Sequence, residues 1–179
     1  MAETIGKLLW YAFKVFFNQE FKVEEDLISK GFEVFIPSET VKVKYGKTTK
    51  TKKKAMIAGL LFCHASETQI KNLQKELFGR ASIYKNIAGE PAVIPDREMN
   101  VFRLVTTAGE SGLDFYPDGE LDCKVGNRVR VIDGPFKGAE GYIKRIKGNQ
   151  RLIVSLEGVC AVATSYIPRA FLEKVDKDD

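Results

Sequence analysis

Between residues 108 and 121 the chain holds three glycines, a proline and four acids (Glu110, Asp114, Asp118 and Glu120), with no lysine or arginine and no sustained apolar period. Such a stretch buries little and its like charges repel, so it predicts an extended, mobile linker. That linker divides the 179 residues into blocks 1–107 and 122–179, each long enough to fold around a core of its own. Charge follows the same division: the blocks carry +5 and +3 and the linker −4. Two basic modules are thus held apart by an acidic connector.

No apolar run approaches the roughly 18 residues a membrane span requires, and Met1 to Lys7 lack the charged start and apolar stretch of a secretory signal. A cytoplasmic protein is expected. Cys63, Cys123 and Cys160 lie far apart, without the paired spacing of zinc or redox sites, so no metal, cofactor or disulfide is expected. His64 is the one histidine, following an apolar run with no acidic or thiol neighbour in sequence; it reads as a packing or surface residue. Neither a nucleophile–base pair nor a phosphate loop is present, so no enzyme is expected.

In the first block, Leu8 to Phe17 is a dense aromatic and apolar run bounded by Gly6 and Asn18, the mark of a buried strand. Asn18 can cap a following helix that carries Phe21, Leu27 and Ile28, and Gly31 supplies a left-handed stop. Phe32–Ile36 alternates and ends at Pro37, a second strand. A third runs through Ala55–Cys63, after which Ser66-Glu67-Thr68-Gln69 matches the capping box ahead of a helix with Ile70, Leu73 and Leu77 on one face. Ser82–Tyr84 and Ala92–Ile94 are short strands, and Asp96 can cap a last helix holding Met99, Phe102 and Val105. The order β-α-β-β-α-β is the split βαβ arrangement, with two helices on one face of an antiparallel sheet.

Between the second and third of these strands, residues 42–54 contain seven lysines and no acid. They form either a solvated hairpin tip or an arm that contacts phosphates, where lysines release counterions and add salt-sensitive affinity without reading bases. Lys50, Lys52, Lys53 and Lys54 are the candidates.

The second block is made of short β-branched runs between turns: Arg128–Ile132, Gly141–Ile146, Arg151–Leu156, Val159–Ser165 and Phe171–Val175, with Gly148-Asn149 and Glu157-Gly158 marking hairpins. Five strands in under sixty residues predict a small, strongly bent β-barrel. The fold class expected is therefore α+β, a split βαβ domain followed by an SH3-like barrel.

The stretch from Val125 to Gly141, with Gly126-Asn127-Arg128-Val129-Arg130-Val131 followed by Asp133-Gly134-Pro135-Phe136-Lys137-Gly138, resembles the KOW motif of ribosomal proteins and NusG-type transcription factors. Together with Trp10-Tyr11, the helix carrying Glu24 and Leu27, the Val34-Phe35-Ile36-Pro37 strand and the Gly59-to-Phe62 strand, it makes the chain similar to NusG across nearly its whole length. Within that family the tail from Leu156 to Glu173 resembles the UpxY-type specialised antiterminators, which are like RfaH in acting on selected long operons, notably for surface polysaccharides.

The resemblance implies an N-terminal domain seated on RNA polymerase, gripping the clamp helices through an apolar patch and bridging the DNA cleft. It implies that Ile57, Ala58, Gly59, Leu60 and Phe62 form the clamp-binding strand, with Lys14 beside it. Strand alternation alone would set Ile57 on the face opposite Leu60 and Phe62 unless Gly59 carries a bulge, and all three can equally be core. By the same likeness Asn18, Gln19 and Lys22 face the non-template DNA strand of the transcription bubble, although Asn18 can also be only a helix cap. In the KOW domain, Phe136, Leu156 and Glu157 fall where relatives dock ribosomal protein S-ten or Rho. The function implied is that of a monomeric transcription elongation and antitermination factor; the alternative is a KOW-containing RNA-binding or ribosome-associated module.

Overall fold

The computed structural model describes residues 6–121 and 126–175; Cys123, and Val125 at the head of the KOW stretch, lie outside them. Cα packing divides the chain into two compact units, Met1–Val93 and Ile94–Asp179.

The first unit carries β1 (Leu9–Val15), α1 (Glu20–Ser29), β2 (Glu33–Phe35), β3 (Ser38–Tyr45), β4 (Thr48–Ala55), β5 (Leu60–Ala65), α2 (Glu67–Glu76) and β6 (Ala81–Ile83), and β7 (Val93–Ile94) falls on the division itself. Its main sheet has the order β2-β5-β1-β6, with β7 also on β1. β1 runs antiparallel to both β5 and β6, and β2 is antiparallel to β5. The dense apolar run at the start of the chain makes β1 the central strand because only a position buried on both faces can hide it. One face presents Tyr11, Phe13 and Val15 of β1 and Leu61, Cys63 and Ala65 of β5 to Val23 and Leu27 of α1 and Ile70 and Leu73 of α2. Each such aliphatic side chain taken fully out of water contributes about 1.5–3 kcal/mol. The expected split βαβ plan, two helices on one face of an antiparallel sheet, is the one found.

Local signals set several of the element ends. The capping box at α2 is complete: Ser66 Oγ accepts from Gln69 N at 3.4 Å while Gln69 Oε1 accepts from Ser66 N at 2.9 Å. Gly31 leaves α1 with φ of +88°, as its left-handed stop requires. At the start of α1 the cap position is Gln19, with no side-chain hydrogen bond, so the cap expected at Asn18 is not made. Asn18 instead sits one residue earlier with φ of +53°. Asp96 also makes no cap, since Pro95 occupies that position and Asp96 is already the first helical residue. The third strand expected over Ala55–Cys63 starts later, at Leu60: Ala55 closes β4, and residues 56–59 turn the chain back into the sheet.

The second unit carries α3 (Asp96–Thr107), β8 (Asp114–Pro117), β9 (Asn127–Val131), β10 (Glu140–Ile146), β11 (Asn149–Leu156), β12 (Cys160–Tyr166), a 3-10 turn at Arg169–Phe171 and β13 (Leu172–Lys174). Its strands form one sheet in the order β13-β9-β10-β11-β12-β8. The tight hairpin expected before Arg151 is a two-residue turn, Lys147 at φ of +51° and Gly148 at +84°, between paired Ile146 and Asn149. The β11–β12 register shifts between Arg151 and Ile153, and the Leu152 N–H released there donates to Thr164 Oγ1 at 3.1 Å.

Residues 108–121 depart from the extended linker expected of them. They contribute β8, which pairs with β12, because two of the linker's acids have partners in the sheet. The Arg151 guanidinium donates to Asp114 and to the Gly112 carbonyl, and Asp118 accepts from Gly158 N at 3.2 Å. Likewise α3, expected with the first block, groups with the second unit and packs on β11.

Candidate nucleic-acid interface

The lysine-rich segment is a two-stranded β-ribbon. β3 and β4 pair with each other alone, from Ser38↔Ala55 to Tyr45↔Thr48 across a two-residue turn at Gly46-Lys47. The alternation of Val41, Val43 and Tyr45 with Lys42 and Lys44 drives the extended form despite the poor strand propensity of lysine. Lys50, Lys52 and Lys54 are all exposed. Lys53 differs from them: its ammonium lies 3.2 Å from Glu24 Oε2 and 5.0 Å above the Phe21 ring, which fastens the ribbon to α1. Of the four candidate lysines it is therefore the one already committed within the unit.

The β1–α1 corner gathers the candidates Asn18, Gln19 and Lys22; Asn18 and Lys22 are exposed and Gln19 half-buried. Next to them sits a residue the sequence reading placed in a buried strand. Phe17 is 81% exposed at φ of +59°, because β1 ends at Val15 and the chain turns left-handed through Phe17 and Asn18. The signal for this was slight: an aromatic at the end of an apolar run, beside an asparagine. Phe78, on the turn after α2, is likewise exposed.

The second face of the main sheet is where the clamp-binding residues were expected. The register pairs Lys14 with Leu60, Ala12 with Phe62 and Trp10 with His64, so these share one face. His64 packs there by stacking on Trp10 at 4.8 Å between ring centroids and lies 3.3 Å from Glu33, and Phe35 stacks on Phe62. The face is not open: Leu60 is 1% and Phe62 0% exposed. The accessible apolar patch expected at Leu60 and Phe62 is thus corrected to interior packing, the usual outcome for large side chains on a central strand. Lys14 and Ala58 remain exposed at the end of this face and Ile57 is half-buried.

Gly59 decides how that end is built. Its N–H donates to the buried Glu20 at 2.8 Å, its carbonyl accepts from Val15 N at 2.7 Å, and at φ of +74° an added Cβ would stand 2.6 Å from Val15 O. No side chain fits between turn and strand.

In the second unit, Phe136 and Leu156 are buried and only Glu157 of the expected partner-binding set is exposed; the first two are corrected to core. A groove of about 340 Å³ is lined by Arg97, Arg128, Glu140, Tyr142, Val154 and Glu157 among others. Glu140 is its hub. Arg97 and Arg128 reach Oε2 at 2.6 and 3.1 Å, and Arg130 reaches Oε1 at 2.8 Å. Burial alone would push the Glu140 carboxyl up, but the hydrogen bonds of Arg130 and Arg97 and their charges outweigh it and hold it below the usual carboxylate range.

The buried Cys63 thiol is pushed up to about 12 by desolvation, which makes it inert packing. Among the described residues no group of histidine, cysteine and acidic side chains could hold a metal, and no helix is long and apolar enough to cross a membrane.

An antiparallel sheet backed by two helices and accompanied by a separate basic ribbon, joined in sequence to a KOW-type β unit, defines a two-unit α+β protein. The model of the family described as transcription termination factor NusG matches residues 8–103, and that of the KOW motif residues 125–157. The chain belongs to the NusG family of transcription termination and antitermination factors. It is 24% identical over 165 residues to the transcription termination/antitermination protein NusG of Thermus thermophilus, covering 83% of this chain and 90% of that protein. To the NusG of Deinococcus radiodurans it is 22% identical over 172 residues, with the same coverage. A solved structure of Thermotoga maritima NusG, which concerns its domain interaction, is 22% identical, spans 95% of this chain and 98% of its own, and superposes with a TM-score of 0.48.

Proposed function

We propose that this chain is a specialised elongation and antitermination factor whose N-terminal unit docks on the clamp helices of RNA polymerase beside the non-template strand. Binding energy available only with the clamp closed draws population away from open, paused states, so transcription continues past pause and termination sites. The observation that carries this reading is the family match over residues 8–103 on a unit where the Lys53–Glu24 pair ties an exposed lysine ribbon to the helix bearing Lys22. With Leu60 and Phe62 interior, the accessible residues for a clamp contact are Lys14, Ile57 and Ala58, and non-template DNA meets Asn18, Gln19 and Lys22. Docking of ribosomal protein S-ten or Rho through Phe136 and Leu156 draws no support from their burial. Specialisation of the UpxY type, toward surface-polysaccharide operons, rests on the likeness of the tail from Leu156 to Glu173.

The test is co-purification of the full chain with core RNA polymerase, together with read-through on a template carrying a pause and a terminator. Capture with increased read-through supports the reading, and absence of both overturns it. A nascent-transcript profile of a deletion strain tests the specialisation: loss of distal transcript from a few long operons supports it, and a uniform genome-wide effect overturns it.

A further inference from the structure

The β3–β4 register fixes which residues share each face of the ribbon. Glu39–Lys54, Val41–Lys52, Val43–Lys50 and Tyr45–Thr48 alternate with Ser38–Ala55, Thr40–Lys53, Lys42–Thr51 and Lys44–Thr49, and successive side chains of a strand point to opposite sides. The second set shares the side of Lys53, which is engaged by Glu24 and Phe21 of α1. On the first, two rails run side by side. β3 contributes Val41, Val43 and Tyr45 after Glu39 at its start; β4 contributes Lys54, which stands opposite Glu39, then Lys52 and Lys50 opposite the valines. Within a rail the side chains repeat every ~7 Å, and across the pair they stand about 5 Å apart. The lysines are exposed, the valines half-buried, and the Tyr45 ring is exposed beside the turn.

A single nucleic-acid strand has the same two-rail form, a row of phosphates beside a row of bases whose faces stack on aromatic side chains. A duplex does not offer it, since its bases are stacked inside and only phosphates and groove edges face outward. We propose that the face bearing Lys50, Lys52 and Lys54 beside Val41, Val43 and Tyr45 binds a single nucleic-acid strand, with phosphates along the lysines and bases against Tyr45 and the valines. The site rests on the proposed function only for the origin of its strand, an unpaired segment at the transcription bubble.

The test is fluorescence anisotropy of the full chain with an oligothymidylate of about twelve nucleotides, within the span of a small β module, and with a duplex of equal length. The expected result is tighter binding of the single strand. K50Q/K52Q/K54Q lowers the log–log salt slope by about 2, and Tyr45→Ala weakens binding by about tenfold with the slope unchanged. K42Q/K44Q removes lysines from the opposite face and changes the slope by less than half as much. Equal or tighter binding of the duplex, no effect of Tyr45→Ala, or an equal loss per lysine on both faces overturns the site. All these positions are on exposed strands, and circular dichroism verifies that each variant keeps its fold. Capture of core RNA polymerase is scored in parallel. Capture without strand binding removes the ribbon site and leaves the proposed function standing, and strand binding without capture does the reverse.

Discussion

Arg151, only 6% exposed, joins its guanidinium to the carboxylate of Asp114, a residue thirty-seven positions earlier in the chain. It also donates to the carbonyls of Gly112, Ala163 and Thr164. One side chain therefore fastens the segment 112–114 to β12 while occupying the irregular register of β11.

Replacing Arg151 by Met keeps an unbranched apolar stem but removes the guanidinium from the Asp114 carboxylate and from three carbonyls. The expected cost is about 1.5–3 kcal/mol, the range for hydrogen bonds to charged groups, read from urea unfolding. Limited proteolysis between residues 108 and 121 should rise in the same variant, and an unchanged cleavage pattern would show that β8 is held by its backbone ladder alone.

Acid should loosen the second unit through two carboxylates. The hydrogen bond from Arg151 holds Asp114 below its ordinary range, with the charges of Arg151 and Lys147 adding to it, and Glu140 is held low by its arginines in spite of burial. Each folded-state value lies under the unfolded one, so the stability they confer is present above the unfolded carboxylate range, about pH 4, and disappears as pH falls through the lower folded values. Thermal melts from pH 6 downward should show this loss, and E140Q with D114N should flatten it. An identical acid limb in the double variant would assign the loss to other groups.

Gly59→Ala forces a Cβ against Val15 O and holds alanine at φ of +74°, costing about 1–3 kcal/mol for the backbone alone. Gly46 at the ribbon turn also has positive φ but nothing within 4 Å of an added Cβ. Gly46→Ala should therefore cost only the left-handed term, about 1–2 kcal/mol. The melting temperatures of the two variants should fall in that order.

Phe62→Ala should destabilise by about 3–5 kcal/mol, the cost of emptying a buried aromatic site. Phe17→Ala should stay within about 0.5 kcal/mol because its ring is in solvent. A chemical-denaturation midpoint near wild type for Phe62→Ala would mean that its face is open after all.

What the sequence made legible was mostly what neighbouring residues decide. Ser66 and Gln69 announce the start of α2 by themselves, and Gly148 and Gly158 mark turns without help from the rest of the chain. Asn18 and Asp96 look like caps by the same local logic, yet Gln19 and Pro95 hold those positions, since an apolar strand end and a fixed proline φ shift each boundary by one residue. The larger departures come from distance in sequence. Nothing near Asp114 announces that a buried arginine awaits it, so an acidic, glycine-rich segment reads as a linker. Leu60 and Phe62 were expected in a docking patch on the family resemblance, and pattern alone cannot separate an apolar face that is covered from one that is open. The ribbon was visible as charge and as a hairpin, but not its length: the lysines of residues 42–54 hide that the pairing begins at Ser38 and closes at Ala55.

The short strand β8 has an effect beyond tethering. It occupies the backbone N–H and C=O groups along one side of β12, a row that would otherwise be available for pairing with another molecule. A fragment cut behind Leu121 would retain every other strand of the sheet and yet bare that row to solvent. Self-association of such a fragment would then reflect the missing segment rather than any natural stickiness of the module.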